Sequence, residues 1–110
     1  MSAVPDVTDA TFASQVLQSP RPVLVDYWAD WCQPCKRLST VIDQLASDYA
    51  GSVDFFKMDV GDVDRNTAVP AAQDVRNLPT VQLFVAGRVV GQVVGDVTKL
   101  KLRKLLEQIG

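Results

Sequence analysis

The run Val23-Leu24-Val25-Asp26-Tyr27-Trp28-Ala29 is β-branched, aromatic and apolar on both of its faces. A strand buries both faces only inside a sheet that helices cover on each side. The run therefore demands an α/β architecture, and the residues after it supply a covering helix. Leu38, Val41, Ile42, Leu45, Ala46 and Tyr49 recur at the i, i+3, i+4, i+7 spacing of one helical face. Between strand and helix lies Trp31-Cys32-Gln33-Pro34-Cys35-Lys36, which holds both cysteines of the chain. Pro34 suits a first helical turn, because its φ is already helical and its missing N–H would find no intrahelical partner there. Cys32 then falls at or near the N-cap.

That position has chemical weight. First-turn amides and the helix dipole favour negative charge by roughly 0.3–1 kcal/mol, and Lys36 adds a nearby cation. The Cys32 thiolate is thus favoured over the thiol, and its sulfur is nucleophilic near neutral pH. Cys35 falls on the buried stripe, above Leu38 and in line with Ile42. The expectation is one presented sulfur and one sheltered sulfur. Thiol–disulfide exchange uses that asymmetry: the exposed thiolate attacks a partner disulfide, and the second thiol resolves the mixed disulfide within the chain.

A chain of 110 residues, 47% of them apolar, is expected to be a single domain, residues 1–110, with a core that needs no staples. Two cysteines this close cannot be a disulfide framework. With no histidine and no second cysteine pair, the chain lacks both a four-ligand zinc set and a c-type haem attachment. Acid–base chemistry must come from Asp, Glu, Lys or the thiols. The net charge of −2 gives no basic field for nucleic acid. Lys99, Lys101, Arg103 and Lys104 are spaced as the wet side of an amphipathic helix whose dry side is Leu102, Leu105, Leu106 and Ile109. No segment approaches the apolar length of a membrane span. Residues 1–11 are acidic and lack a hydrophobic signal core, so a cytosolic, reducing setting is expected, where a lone Cys-x-x-Cys pair is more often catalytic than structural.

Along the chain, Val4 to Val7 reads as a weak edge strand with Pro5 inside it. Thr8 or Asp9 then caps a short helix with Phe12, Val16 and Leu17 on one side. The helix after the cysteines runs to about Ala50, with Gly51 suited to the C′ position. Val53 to Asp59 is a second strand, joined to the first by a right-handed parallel crossover. Asp62, Asp64 and Asn66 resemble part of a calcium loop, but Thr67 and Gln73 stand where glycine and a bidentate glutamate are required. This segment is expected to be an exposed connection into a short helix near Thr67 to Gln73, with Pro70 as a point of interruption. Thr80 to Val85 and Arg88 to Val94 form a hairpin about Ala86-Gly87, and Asp96 or Thr98 caps a last helix. The whole is a central mixed sheet with helices on both faces.

Two ionisable residues admit two readings each. Asp26, mid-strand, is either an aspartate bonded to backbone amides or a carboxyl with a chemical role. Lys57 shares strand parity with Phe55 and Asp59, and is either a counter-charge for Asp26 or a snorkelling surface lysine. Trp28 alternates onto the Asp26 side and reads as core. Trp31, in the loop beside a reactive thiol, reads as a contact surface.

The segment Val25 to Lys36 resembles the active-site segment of the thioredoxin family. Val75-Arg76-Asn77-Leu78-Pro79-Thr80 resembles that family's cis-proline loop, and Val94-Gly95 its glycine facing the site. These features stand in family order across nearly the whole chain. The resemblance implies a thioredoxin fold, reduction of protein disulfides, no bound cofactor, and electrons from NADPH delivered by a thioredoxin reductase; with the charge, the lack of a span and the cysteine usage above, the expectation is a cytoplasmic carrier that binds neither membrane nor nucleic acid, and nothing in the sequence requires more than a monomer. It makes Cys32 the attacking thiol and Cys35 the resolving thiol. Asp26, its pKa raised by desolvation, becomes the proton acceptor for Cys35, with Lys57 as its partner. Trp31, Gln33, Pro34, Leu78, Pro79 and Gly95 become the substrate-binding surface, with Pro79 in the cis form that only about 5–6% of X–Pro bonds adopt. Alternatives on the same fold are an oxidant or isomerase, or a non-catalytic binding or chaperone module. Four features depart from the family pattern. Gln33 replaces a glycine, and a resulting 30 mV change in potential would correspond to about 1.4 kcal/mol. Thr40 and Asn77 replace a frequent proline and glycine, and the loop between Val60 and Ala72 is slightly longer than usual.

Overall fold

The computed structural model describes residues 4–109. Four strands, β1 (Val23–Trp28), β2 (Asp54–Asp59), β3 (Thr80–Val85) and β4 (Arg88–Val94), form one sheet in the order β2-β1-β3-β4. β1 runs parallel to β2 and antiparallel to β3, which runs antiparallel to β4. The sheet is therefore mixed, and the two-sided apolar run lies inside it. The helices are α1 (Asp9–Phe12, continued by a wide π-type turn at Ala13–Leu17), α2 (Gln33–Asp48), α3 (Ala68–Ala72) and α4 (Lys99–Leu106).

Strand alternation sorts the core into two layers. Leu24, Val81 and Leu83 pack with Leu38, Ile42 and Leu45 of α2 and with Leu102, Leu105 and Leu106 of α4. On the opposite face, Val23, Val25, Tyr27, Met58 and Phe84 pack with Phe12 and Val16, with Val69 of α3 against them. Each fully buried side chain of this size contributes about 1.5–3 kcal/mol. One polar ladder crosses the second face: the buried Tyr27 hydroxyl donates to Gln82 Oε1 at 2.9 Å, and Gln82 Nε2 donates to Gln92 Oε1 at 3.1 Å. The β3–β4 turn has φ of 53° at Ala86 and 78° at Gly87, the pair of positive values that a two-residue hairpin loop requires. A Cβ on Gly87 would lie 2.8 Å from the Leu17 carbonyl oxygen, so glycine is needed there for space as well as for φ.

Several local expectations are corrected. Val4 to Val7 is not a strand but a single parallel bridge, Asp6 to Lys57. Val7 N to Lys57 O and Lys57 N to Pro5 O link the segment to β2, and Pro5 has no N–H to extend the ladder. Leu17 is 38% exposed; one residue beyond Val16, it swings roughly a quarter-turn off the buried face. The C-cap of α2 is Tyr49, so Gly51, at φ 86°, lies one residue past C′. Thr98, not Asp96, caps α4, accepting from Lys101 N. Pro70 does not interrupt α3. It occupies the first turn, where its missing N–H has no intrahelical role.

Asp9 explains why so short a helix holds. Its Oδ2 accepts from Thr67 N and Ala68 N, each at 2.8 Å, and its Oδ1 accepts from Val69 N at 2.9 Å. With Pro70 lacking an N–H, every early amide of α3 is accounted for. Asn66, itself buried, accepts from Asp9 N and donates to the Asp59 carbonyl, fastening the same loop to the end of β2. Burial raises the Asp9 pKa, but the amide bonds from Val69, Thr67 and Ala68 outweigh it and leave the carboxyl below its ordinary range. A carboxyl depressed in the folded state stabilises above its unfolded pKa and ceases to do so as pH falls through the folded value. Asp9→Ala is expected to cost roughly 1–2 kcal/mol at pH 7, read as a lower urea midpoint. The gap between variant and parent should close in acid; a gap that persists below the aspartate range would contradict the assignment.

Candidate functional site

The sharpest feature of the fold is the passage from the buried end of β1 into α2. Cys32 is the N-cap, in extended conformation, and its Sγ accepts from Cys35 N at 3.2 Å. Pro34 stands in the first turn, as its geometry predicts. Cys32 and Cys35 are joined by a disulfide, with Cα atoms 5.3 Å apart. The sulfurs pack with Ala29, and Trp28, Val60 and Leu78 close around them.

The expected contrast in exposure is small in this disulfide form. Cys35 is 2% exposed, but Cys32 is only 5% exposed. Both sulfurs lie in the same apolar cluster. What remains exposed around it is Trp31, at 72%, together with Gln33 and Pro34. The Lys36 ammonium lies 3.9 Å from Asp30 in an exposed pair.

A second segment abuts the disulfide. The Leu78–Pro79 peptide bond is cis, Leu78 packs on the cysteine cluster, and Pro79 is buried. Gly95 N donates to Pro79 O at 2.9 Å, which brings Gly95 to the cis-proline loop, and no atom lies within 4 Å of where a Gly95 Cβ would stand. The Leu78 N–H and C=O take no hydrogen-bond partner among the described residues. Leu78 thus stands against the cysteine pair with Pro79 next to it and Gly95 bonded to Pro79, while Trp31, Gln33 and Pro34 adjoin the cysteines along the chain.

Behind Cys35 lies a cleft of about 570 Å³ lined by Asp26, Trp28, Lys36, Thr40, Asp43 and Lys57, among others. Asp26 is 4% exposed, and its Oδ1 has no hydrogen-bond partner among the described residues. The reading of Asp26 as a strand aspartate bonded to backbone amides thus fails at that oxygen. Burial pushes its pKa up to about 7, with Lys57 pulling it down and Asp43 pushing it up. Lys57 stands opposite Asp26 in the β1–β2 register, but the expectation of a buried counter-charge is only partly met. Lys57 is half-buried, no ion pair joins it to Asp26 among the described residues, and its ammonium sits 5.7 Å from the centroid of the Trp28 ring. The aromatic face competes for the cation, which acts on Asp26 at longer range.

Asp43 was not singled out in the sequence. The signal was present, since Asp43 follows Cys35 and Ser39 at intervals of four along α2, but the apolar stripe beside it carried the reading. The residues of the apparent calcium loop serve other ends: Asp62 pairs with Arg65 at 2.6 Å, and Asn66 is part of the Asp9 clip. No cluster of three or more His, Cys, Asp or Glu suited to a metal occurs among the described residues. No helix among them is long and apolar enough to cross a membrane.

The chain matches the family model described as Thioredoxin over residues 3–108. It is 42% identical to Thioredoxin 1 of Nostoc sp. over 108 residues, covering 98% of each chain. It is 44% identical to the thioredoxin of Haemophilus influenzae, again over 98% of each chain. Against the chloroplastic M-type thioredoxin of Brassica napus it is 36% identical, over 97% of this chain and 59% of that protein.

Proposed function

Since the chain belongs to the thioredoxin family, has the thioredoxin fold and is a protein-disulfide oxidoreductase of the thioredoxin type, we propose that it works as a reductant through the following division of labour. The Cys32 thiolate attacks a substrate disulfide, forming a mixed disulfide and releasing one substrate thiolate. Cys35 then gives its proton to Asp26, and its sulfur attacks Cys32 Sγ. The second substrate thiolate leaves, and the chain holds the Cys32–Cys35 disulfide. Two electrons pass to the substrate.

The observation that carries this reading is that Cys35 and the buried Asp26 carboxyl, whose Oδ1 takes no hydrogen bond among the described residues, line one cleft directly behind the N-cap cysteine. A proton acceptor must sit within reach of the proton it takes, directly or through one water, and be poised near working pH. Lys57 moderates Asp26 from across the β1–β2 pair. Trp31, Gln33 and Pro34 offer the contact surface on one side of the disulfide, and Leu78, Pro79 and Gly95 on the other. The free N–H and C=O of Leu78 suit an extended substrate segment, which would pair there as an added strand.

Electrons come from NADPH through a thioredoxin reductase, with no cofactor bound to the chain itself. The protein acts as a single-domain monomer in the cytoplasm on protein disulfides, without a nucleic-acid or membrane partner. The test is a coupled assay with a thioredoxin reductase and insulin. NADPH oxidation is expected only when chain and insulin are both present, in proportion to insulin thiols formed. Reductase-dependent turnover that fails while dithiothreitol still drives insulin reduction through the chain would remove the electron source and leave the chemistry standing.

A further inference from the structure

The cleft behind Cys35 contains a charge that the reaction above leaves unused. Cys35, Ser39 and Asp43 succeed one another at four-residue intervals on α2, a spacing that aligns side chains along one helical face, and all three line the cleft with Asp26. The charged groups facing Asp26 come from three elements. β2 supplies Lys57; α2 supplies Lys36 and Asp43; the loop between β1 and α2 supplies Asp30. Lys36 and Asp30 lie 3.9 Å apart, so their opposite charges largely offset one another at Asp26. Lys57 and Asp43, of opposite sign, also stand on the walls of the cleft.

We propose that Asp43 is a positioning residue for the resolving step, its carboxylate making Asp26 a stronger base toward the Cys35 thiol in opposition to Lys57. The inference rests on the reading of Asp26 as the proton acceptor. In that step the Cys35 S–H bond breaks, the proton goes to the Asp26 carboxylate, and the sulfur electron pair forms the bond to Cys32 Sγ as the substrate thiolate departs. A negative charge across the cleft favours the protonated Asp26 that this transfer produces. It acts through Asp26 and touches no reacting atom. The direction agrees with the electrostatics of the site, where Asp43 pushes the Asp26 pKa up while Lys57 pulls it down.

The disulfide form gives a clean measurement, because neither cysteine titrates in it. The Asp26 side-chain carboxyl is followed by carbon-13 NMR across pH in the parent chain, in Asp43→Asn and in Asp43→Glu. The Asp43→Asn midpoint is expected to fall by roughly half a pH unit, as for a like charge acting through partly solvated surroundings. Asp43→Glu should stay with the parent, and the pH dependence of mixed-disulfide resolution should move with each midpoint. A midpoint unmoved or raised by Asp43→Asn, or lowered equally by Asp43→Glu, overturns the proposal. Asp26→Asn separates it from its premise. If the resolving-step titration survives in Asp26→Asn, the role of Asp26 falls and the Asp43 proposal with it. If it vanishes there while Asp43→Asn leaves the midpoint in place, only the Asp43 proposal falls.

Discussion

Cys32→Ser is expected to reduce insulin-disulfide reduction to the uncatalysed background, while Cys35→Ser keeps the first chemical step and stalls after it. The difference follows from the places the two sulfurs occupy. Cys32 is the N-cap of α2, where first-turn amides and the dipole favour an anion, and a serine hydroxyl there is far too weakly acidic to use that stabilisation. Cys35 stands in the first turn and lines the cleft with Asp26, within bonding reach of Cys32 Sγ. The Cys35→Ser variant should therefore accumulate covalent adducts with substrate, visible as a mass increase that dithiothreitol reverses. Parent-like turnover by Cys32→Ser would be incompatible with the scheme, as would adducts trapped on Cys35.

The second large effect is on stability, and it opposes the effect on activity. Asp26 is a buried carboxyl whose pKa is pushed up to about 7, above the 3.8 of an ordinary aspartate. Such a group binds a proton in the folded chain where the unfolded chain has lost it. Its contribution is fully present below the unfolded pKa and is lost as pH rises through the folded one. At about 1.4 kcal/mol per unit, that loss is on the order of 4 kcal/mol between about pH 4 and about pH 7. Asp26→Ala should not suffer it. After the carboxyl-sized void it leaves, the disulfide form of the variant is expected to be more stable than the parent by roughly 2–3 kcal/mol at pH 8, and close to the parent or below it at pH 4. Urea unfolding at the two pH values reads this directly. The same variant should slow mixed-disulfide resolution about tenfold to a hundredfold, at or below the low end of what a positioned proton acceptor supplies. A variant no more stable than the parent at pH 8 would show that the carboxyl is satisfied in the folded chain.

The elements carrying the chemistry were the most legible in the sequence, for identifiable reasons. β1 announced itself by being apolar on both faces, and α2 by the spacing of Leu38, Ile42 and Leu45. The hairpin was marked by Ala86-Gly87 between two β-branched runs. Each signal is local, so no knowledge of the fold is needed to read it. What escaped depends on residues distant in sequence. The carboxyl of Asp9 caps α3 nearly sixty positions away, and nothing around Thr67 or Pro70 betrays that a cap exists. The Lys57 ammonium acts on Asp26 from across the β1–β2 pair while it also lies 5.7 Å from the Trp28 ring centroid, a division that appears only once β1 and β2 lie side by side. Asp43 reads as a wet helix position until the fold sets it in the cleft with Asp26. The burial of Cys32 accompanies the packing of Leu78, more than forty positions away, against the cysteine pair, which no spacing rule conveys.

All the chemistry proposed rests on the Cys32 sulfur being an unusually available thiolate because it caps α2. The most direct measurement is the rate of iodoacetamide alkylation of the reduced chain across pH, with the modified cysteine identified by mass spectrometry and glutathione as reference. Alkylation confined to Cys32, faster than glutathione near neutral pH and still rapid where glutathione has become inert, is the predicted result. Alkylation no faster than glutathione, or falling first on Cys35, would contradict it.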